Sequence, residues 1–200
     1  DLHPRWNHSG DKICFDSVFE GHRGLYMVNV KKKNKNINKK INIAFLVTAC
    51  KKSGPIEQML SIFTYMNRDI FNPILVTLYD EPTDGTSQLQ RYIDIGVYHT
   101  HVPLSKKDIL LGNTKELKKR LDDLNVDIAL GVFPDFALSR MKYPGHVTTL
   151  RNYVYEDYPV KFGKIIGMVM AKMHLYAMKR TDMTWTCSAS LAKKYKDELN

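Results

Sequence analysis

Three stretches of this 200-residue chain hold residues of the type and spacing that could do chemistry. In the first, Ser53, Gly54 and Pro55 follow an apolar run from Ile41 to Ala49. They precede Met59, Leu60, Ile62, Phe63 and Met66, which recur with helical spacing. A buried strand, a glycine turn and a helix N-terminus form an anion site, because unpaired N–H groups of the first turn point into the crevice. Gly54 lets the backbone bend and a ligand approach, and Pro55 suits the first helical position. Gly54 serving only a tight turn is the other reading of the same residues. The second stretch, Arg151 to Tyr158, collects a guanidinium, two carboxylates and three phenol rings in eight residues. Here too there is a bland reading, an ordered surface loop that caps a sheet. In the third, His99 and His101 alternate on a predicted strand as a metal pair would. With no third ligand nearby, exposed strand-end histidines are the better reading, and no metal site is assigned.

The elements that must position these residues alternate regularly. Strand one, Ile41 to Thr48, leads through the Ser53 turn to a helix from Pro55 to about Asn67. Strand two is Pro73 to Tyr79, followed by the polar loop DEPTDGTS and a short helix from Gln88 to Ile95. Strand three is Gly96 to Val102, then comes a helix from Thr114 to Leu124 with Asn113 as its cap. Strand four is Asp127 to Val132, with a short helix from Phe133-Pro134-Asp135 to Met141. Strand five is His146 to Leu150, then the Arg151 loop and one long helix, Val160 to Arg180. Strand six is Met183 to Cys187, and Ser188 caps a last helix, Ala189 to Leu199. This order predicts an α/β fold, a Rossmann-like doubly wound parallel sheet. Ligands in such sheets sit outside the carboxyl ends of the strands. That rule selects Lys51 to Pro55, Tyr79 to Thr86, Val132 to Asp135 and Arg151 to Tyr158. A nicotinamide or flavin site would need G-x-G-x-x-G after strand one. Asp80 stands near the place of its acidic partner, but residues 50–55 hold a single glycine. There is no Walker lysine motif and no G-x-S-x-G elbow.

The net charge of +9 suggests nucleic acid until it is located. Residues 31–40, KKKNKNINKK, carry +6, against −1 for residues 1–30 and +4 for residues 41–200. The excess is a Lys/Asn-rich linker without interleaved aromatics, so no nucleic-acid partner is expected. Cys14, Cys50 and Cys187 fit no metal or redox spacing, as in a reducing, cytoplasmic setting. No apolar run reaches membrane-spanning length and no signal peptide is visible. The chain opens at Asp1, as a fragment would.

Residues 1–30 have hairpin grammar: strand-like runs Lys12 to Ser17 and Gly24 to Val30 flank a turn around Phe19 to Arg23. His3-Pro4, Trp6, Ser9-Gly10-Asp11-Lys12, Ile13, Phe15, Ser17, Gly21 and Leu25-Tyr26 resemble one WD40-like repeat of the TolB kind of β-propeller. One repeat cannot form a propeller. The segment is expected to be the tail of a propeller domain or a fused remnant.

The run from Ile41 to Asn200 resembles the N-terminal domain of a GT-B glycosyltransferase of family four. The features are the Ser53-Gly54-Pro55-Ile56-Glu57 turn, where that family has a Gly-Gly-x-Glu-like turn, and the Asp127-Ile128-Ala129 strand, like its D-I-V-H-x-H strand. Val147 to Asn152, Tyr155-Glu156-Asp157-Tyr158-Pro159, Ala171-Lys172 and Cys187-Ser188-Ala189-Ser190 resemble polysaccharide-assembly members. The resemblance implies transfer of a sugar from a nucleotide-sugar, with no further cofactor, to a glycan or lipid-linked acceptor. It also implies a C-terminal donor-binding domain, missing from this chain, so that the fragment alone would be inactive. The chain departs from the family at Arg151-Asn152, where many members place a histidine, and at Phe133-Pro134, and no catalytic residue is assigned. On this resemblance, Ser53, Gly54 and Pro55 face the donor phosphates, and Arg151 meets the charge of the leaving nucleoside diphosphate. Glu156 and Asp157 orient acceptor hydroxyls, with Asn152 beside them, while Tyr153, Tyr155 and Tyr158 stack on sugar faces. Glu57 caps or pairs.

In the predicted helix Val160 to Arg180, Lys161, Lys164, Lys172 and Lys179 share one arc with Met168 and Leu175. Phe162, Ile166, Met170, Met173 and Ala177 lie opposite, toward the sheet. Such an arc suits a peripheral contact with the inner face of an anionic membrane; an ordinary surface helix is the other reading. Two further function classes share parts of the pattern: a propeller-linked carbohydrate-binding or scaffold protein, and a sugar-nucleotide epimerase.

Overall fold

The computed structural model describes residues 5–6, 12–17, 24–29, 39–131 and 135–199. Strands β1 (Arg5–Trp6), β2 (Lys12–Ser17) and β3 (Gly24–Asn29) form an antiparallel sheet in that order. β2 and β3 pair from Lys12 opposite Asn29 to Ser17 opposite Gly24, as the hairpin reading expects. The predicted turns and all but Lys39 and Lys40 of the linker lie outside the described residues.

The main sheet has six parallel strands: β4 (Ile41–Val47), β5 (Phe71–Thr77), β6 (Tyr98–His101), β7 (Ile128–Gly131), β8 (His146–Leu150) and β9 (Met183–Thr186). Their order across the sheet is β6-β5-β4-β7-β8-β9. This is an α/β, Rossmann-like fold, and the alternation of apolar runs with helices is what produces it. β4 is apolar but for Asn42 because both of its faces are covered. Ala44 and Leu46 enter one core with Leu117 and Leu121 of helix α4 (Lys115–Asp123) and Ala137 and Leu138 of α5 (Asp135–Met141). Phe45 and Val47 enter the other core, with Ile56, Met59, Leu60 and Phe63 of α1 (Gly54–Tyr65) and Tyr92 of α2 (Leu89–Asp94). Edge-to-face contacts of Phe63 with Phe45 and with Tyr92, centroids 6.1 Å apart, fix α1 and α2 on that face.

Three expectations about helices need correction. Residues Lys106–Leu111 form a helix, α3, that periodicity misses. It is started by a reciprocal capping box between Ser105 and Asp108 and stopped by Gly112 at φ 75°. The cap position of α4 is Thr114 rather than Asn113, whose amide instead donates to Asp108 at 3.0 Å. The single helix Val160 to Arg180 does not exist. α6 (Val154–Phe162) already occupies most of the stretch expected as a loop, Gly163 interrupts, and α7 (Lys164–Met178) follows. Gly163 has φ 80° and ψ 158°, backbone space that only glycine enters readily, so the chain reverses in one residue. α6 and α7 then lie so close that a Cβ on Gly167 would stand 2.5 Å from Pro159 Cα. A third core joins Leu150, Val154, Ala171, Leu175 and Met178 to Leu191 and Tyr195 of α8 (Ala189–Leu199). The predicted cap of α8 is present: Ser188 Oγ accepts from the Leu191 N–H at 3.3 Å.

Candidate functional site

In sequence order, the strands of the parallel sheet run outward in both directions from β4 and β7. The direction in which strands are added therefore reverses between these two parallel neighbours, and the crevice outside their carboxyl ends is the ligand position of this topology. The loop after β4 borders it from one side and the residue after β8 from the other. Residues 132–134, after β7, lie outside the described residues, and with them most of the predicted Val132 to Asp135 loop.

Ser53 holds the N-cap position of α1 in extended conformation, and its hydroxyl makes no capping bond. Pro55 has no N–H, so the N–H groups of Gly54 and Ile56 are the ones this turn leaves without a side-chain cap, while Glu57 N–H donates to Ser53 O at 3.0 Å. Pro55 stands at the start of the helix, as its fixed φ favours. Gly54 does not have positive φ, so a bend is not what requires glycine there. Nor does crowding require it: an added Cβ would lie at ordinary contact distance, 3.5 Å, from Nη1 of Arg151, which places that guanidinium beside the turn. Arg151 extends from the end of β8 to α1, where Nη2 donates to Oε1 of Gln58. Gly54 and Arg151, both selected from sequence, are brought together. Val147, Thr149 and Arg151 alternate onto the α1 side of β8, and Thr149 Oγ1 and Arg151 Nε are buried with no hydrogen-bond partner among the described residues. Burial lowers the Arg151 pKa from its ordinary value, the nearby Cys187 opposing, but a guanidinium stays charged. The Cys187 thiol donates to the Arg151 carbonyl at 3.3 Å.

Sequence reasoning missed Gln58 and Thr149. Gln58 is four residues after Gly54, hence on the same helix face, and Thr149 is two before Arg151, hence on the same strand face. An open cavity of about 260 Å³ lies beside the same turn, lined by Val47, Thr48, Ala49, Lys51, Lys52, Ser53, Pro55 and Ile56. Lys51 pairs with Asp84 at 3.8 Å. Behind it, Glu81 accepts from Cys50 N–H at 2.8 Å and from the Ser87 hydroxyl at 2.5 Å, which ties the predicted Tyr79 to Thr86 loop to the turn. Glu57 pairs with Arg91 at 2.6 Å.

His99 and His101 both bond Thr77 Oγ1, at 3.0 and 3.1 Å, on the edge strand β6. His101 Nε2 is 3.7 Å from Asp80 Oδ1. The described residues hold no group of three side chains that could bind a metal.

The stretch after Arg151 is organised differently from the expected loop. Asn152 is exposed, and its carbonyl accepts from Tyr195 OH at 2.9 Å. The three tyrosines pack against the third core. Tyr153 bonds Glu198, Tyr155 stands edge-on to Tyr153, and Tyr158 bonds His174 at 2.6 Å. Glu156 pairs with Lys194 at 2.6 Å and Asp157 with Lys161 at 2.8 Å.

The lysine arc also changes. Lys161 lies on α6, while Lys164, Met168 and Lys172 are exposed on α7 and Leu175 is buried at 5% exposure. Phe162 and Ile166, expected on the sheet, are 45% and 62% exposed. α7 turns a different face to the protein than expected: its buried residues are Gly167, Ala171, Leu175, Ala177 and Met178, of which Ala177 was expected on that side. Among the described residues no helix is long and apolar enough to cross a membrane.

No family model matches the chain, and no curated protein sequence matches it. Among solved structures it is similar to a glycosyltransferase from Rickettsia africae ESF-5, at 19% identity and a TM-score of 0.42. That match covers 56% of this chain and 30% of the other.

Proposed function

We propose that residues 41–200 are the acceptor-side half of a glycosyltransferase that moves a sugar from a nucleotide-sugar to a glycan or lipid-linked acceptor. One observation carries the reading: the Arg151 guanidinium lies against the N-terminal turn of α1 at the point where strand order reverses. In such a transfer the bond between the anomeric carbon and the diphosphate breaks, and negative charge develops on the departing oxygens. A fixed guanidinium and unpaired helix N–H groups are suited to that charge, and preorganised donors stabilise the transition state without reorganising. The order of motifs along the chain supports the same class. On this reading a second Rossmann-like domain holds the donor, and Asn152, just before α6, with Glu156 and Asp157 in its first turn, lines the acceptor side.

Two measurements test it. Titration of the ¹⁵N-labelled chain with a panel of nucleoside diphosphates should shift the amides of Gly54 and of Ile56 to Gln58 and the Arg151 side chain, and Arg151→Ala should abolish the shifts. Incubated with nucleotide-sugars, the chain alone should release no nucleotide. Absence of shifts at millimolar ligand, or robust turnover by residues 1–200, would overturn the proposal.

A further inference from the structure

The reversal at Gly163 makes a helical hairpin whose tip is apolar and exposed. Val160 is 87% exposed, Ile165 82%, Ile166 62%, Val169 54%, Phe162 45% and Met168 38%. Six large apolar side chains in ten residues exceed the scattered apolar groups of an ordinary surface and mark an interaction site.

The tip is braced. Gly167 admits the backbone of Pro159 at a distance no other residue would allow, and Tyr158 OH meets His174 Nδ1 at 2.6 Å across the two helices. The chain therefore holds these apolar groups out in a fixed shape. Their electrostatic surroundings have one sign. Residues 160–172 contain Lys161, Lys164 and Lys172 and no acid. Lys161 is shared with Asp157, whereas Lys164 and Lys172 make no ion pair among the described residues. Lys164 opens α7, whose N-terminus has no side-chain cap and no acid in its first turn. That end of a fifteen-residue helix carries partial positive charge at the same tip. Lys161, in the last turn of α6, offsets the carbonyl end of that helix.

We infer that the α6–α7 tip inserts into an anionic lipid surface: apolar side chains enter the acyl boundary while Lys164, Lys172 and the uncapped N-terminus of α7 meet headgroup phosphates. A second copy is a poorer occupant, because a symmetric contact would set the same lysines against each other. α6 follows the carboxyl end of β8, so the hairpin starts on the ligand side of the sheet. The inference stands apart from the transferase reading and survives if no nucleotide binds.

Co-sedimentation of the 200-residue chain with vesicles tests it. The chain should pellet with phosphatidylcholine vesicles containing about 30% phosphatidylglycerol at about 0.15 M salt, and not with phosphatidylcholine alone. Ile165→Asp/Ile166→Asp should lower the pelleted fraction about fivefold, and Val160→Asp, a second exposed site, should act the same way. Changing Lys31, Lys32, Lys33, Lys35, Lys39 and Lys40 to Gln should leave most of the binding. Circular dichroism of each variant establishes that it is folded. The inference fails if the chain stays in the supernatant, if folded aspartate variants pellet like the wild type, or if the linker variant loses binding. It also fails if gel filtration shows a dimer that the aspartate variants dissociate, or if binding appears only with an acidic protein partner.

Discussion

Arg151 and Gln58 are 93 residues apart in the chain, yet the guanidinium of one donates to the side-chain oxygen of the other across the end of the parallel sheet. The bond points Arg151 at the first turn of α1 and leaves Nη1 beside Gly54. Gln58→Glu should convert it into an ion pair and turn the guanidinium away from any diphosphate. Nucleoside-diphosphate affinity should fall roughly tenfold, about 1.4 kcal/mol, with unfolding stability kept or slightly raised. Isothermal titration beside urea unfolding checks both. On the proposed transferase reading, with a donor domain joined to this chain, Arg151→Ala should lower turnover roughly a hundredfold, well beyond its effect on folding. Equal binding by wild type and Gln58→Glu would remove Arg151 from the site.

Two glycines should respond oppositely to alanine. At Gly54 an added methyl meets Arg151 at ordinary contact distance, and alanine has the higher helix propensity, so Gly54→Ala should leave stability unchanged or raise it by up to about 1 kcal/mol. At Gly167 the methyl would overlap the backbone of Pro159, so Gly167→Ala should cost about 1–3 kcal/mol and part α6 from α7. Chemical denaturation of the two variants gives the comparison. A neutral Gly167→Ala would mean the hairpin is looser than this contact.

Stability should depend on pH through His99. Burial is the main cause that lowers its pKa below the ordinary histidine value, with His101 acting the same way and Glu81 opposing. Above about pH 6.5 the imidazole is neutral both folded and unfolded. As pH falls through that value, the unfolded chain takes up the proton first, so folded stability decreases until the folded-state pKa is passed. Urea midpoints at about pH 7.5 and 5.5 should differ more for wild type than for His99→Gln. Parallel curves for the two proteins would refute the assignment.

The described thiols should differ in reactivity. Burial, and then the charge of Glu81, pushes Cys50 up to about 12, whereas Cys187 is exposed at the end of β9. Because the thiolate is the reactive form, iodoacetamide at about pH 8 should alkylate Cys187 in the folded protein and Cys50 only after unfolding. Peptide mapping reads the two sites separately. Fast labelling of Cys50 under native conditions would show that the core beneath the turn opens.

The sequence by itself determined the parallel sheet, because an apolar run such as Ile43 to Val47 is stable only with both faces covered. It also determined the strand-turn-helix at Ser53 to Pro55 and the Ser188 cap, since local spacing and capping chemistry decide such features within a few residues. It singled out Gly54 and Arg151 separately, each at the carboxyl end of a strand. Only the tertiary structure decided that they meet, because contact between residues from β8 and α1 depends on strand order, which no local pattern encodes. The region after Arg151 was least legible for the same reason. Its tyrosines and carboxylates could serve a ligand or a core, and packing against α7 and α8 sent the rings inward. Local spacing does not tell which face of a helix meets the protein. The reversal at Gly163, made possible by one glycine and held by the fit of Gly167 on Pro159, turns Leu175 into the core and leaves Ile166 exposed.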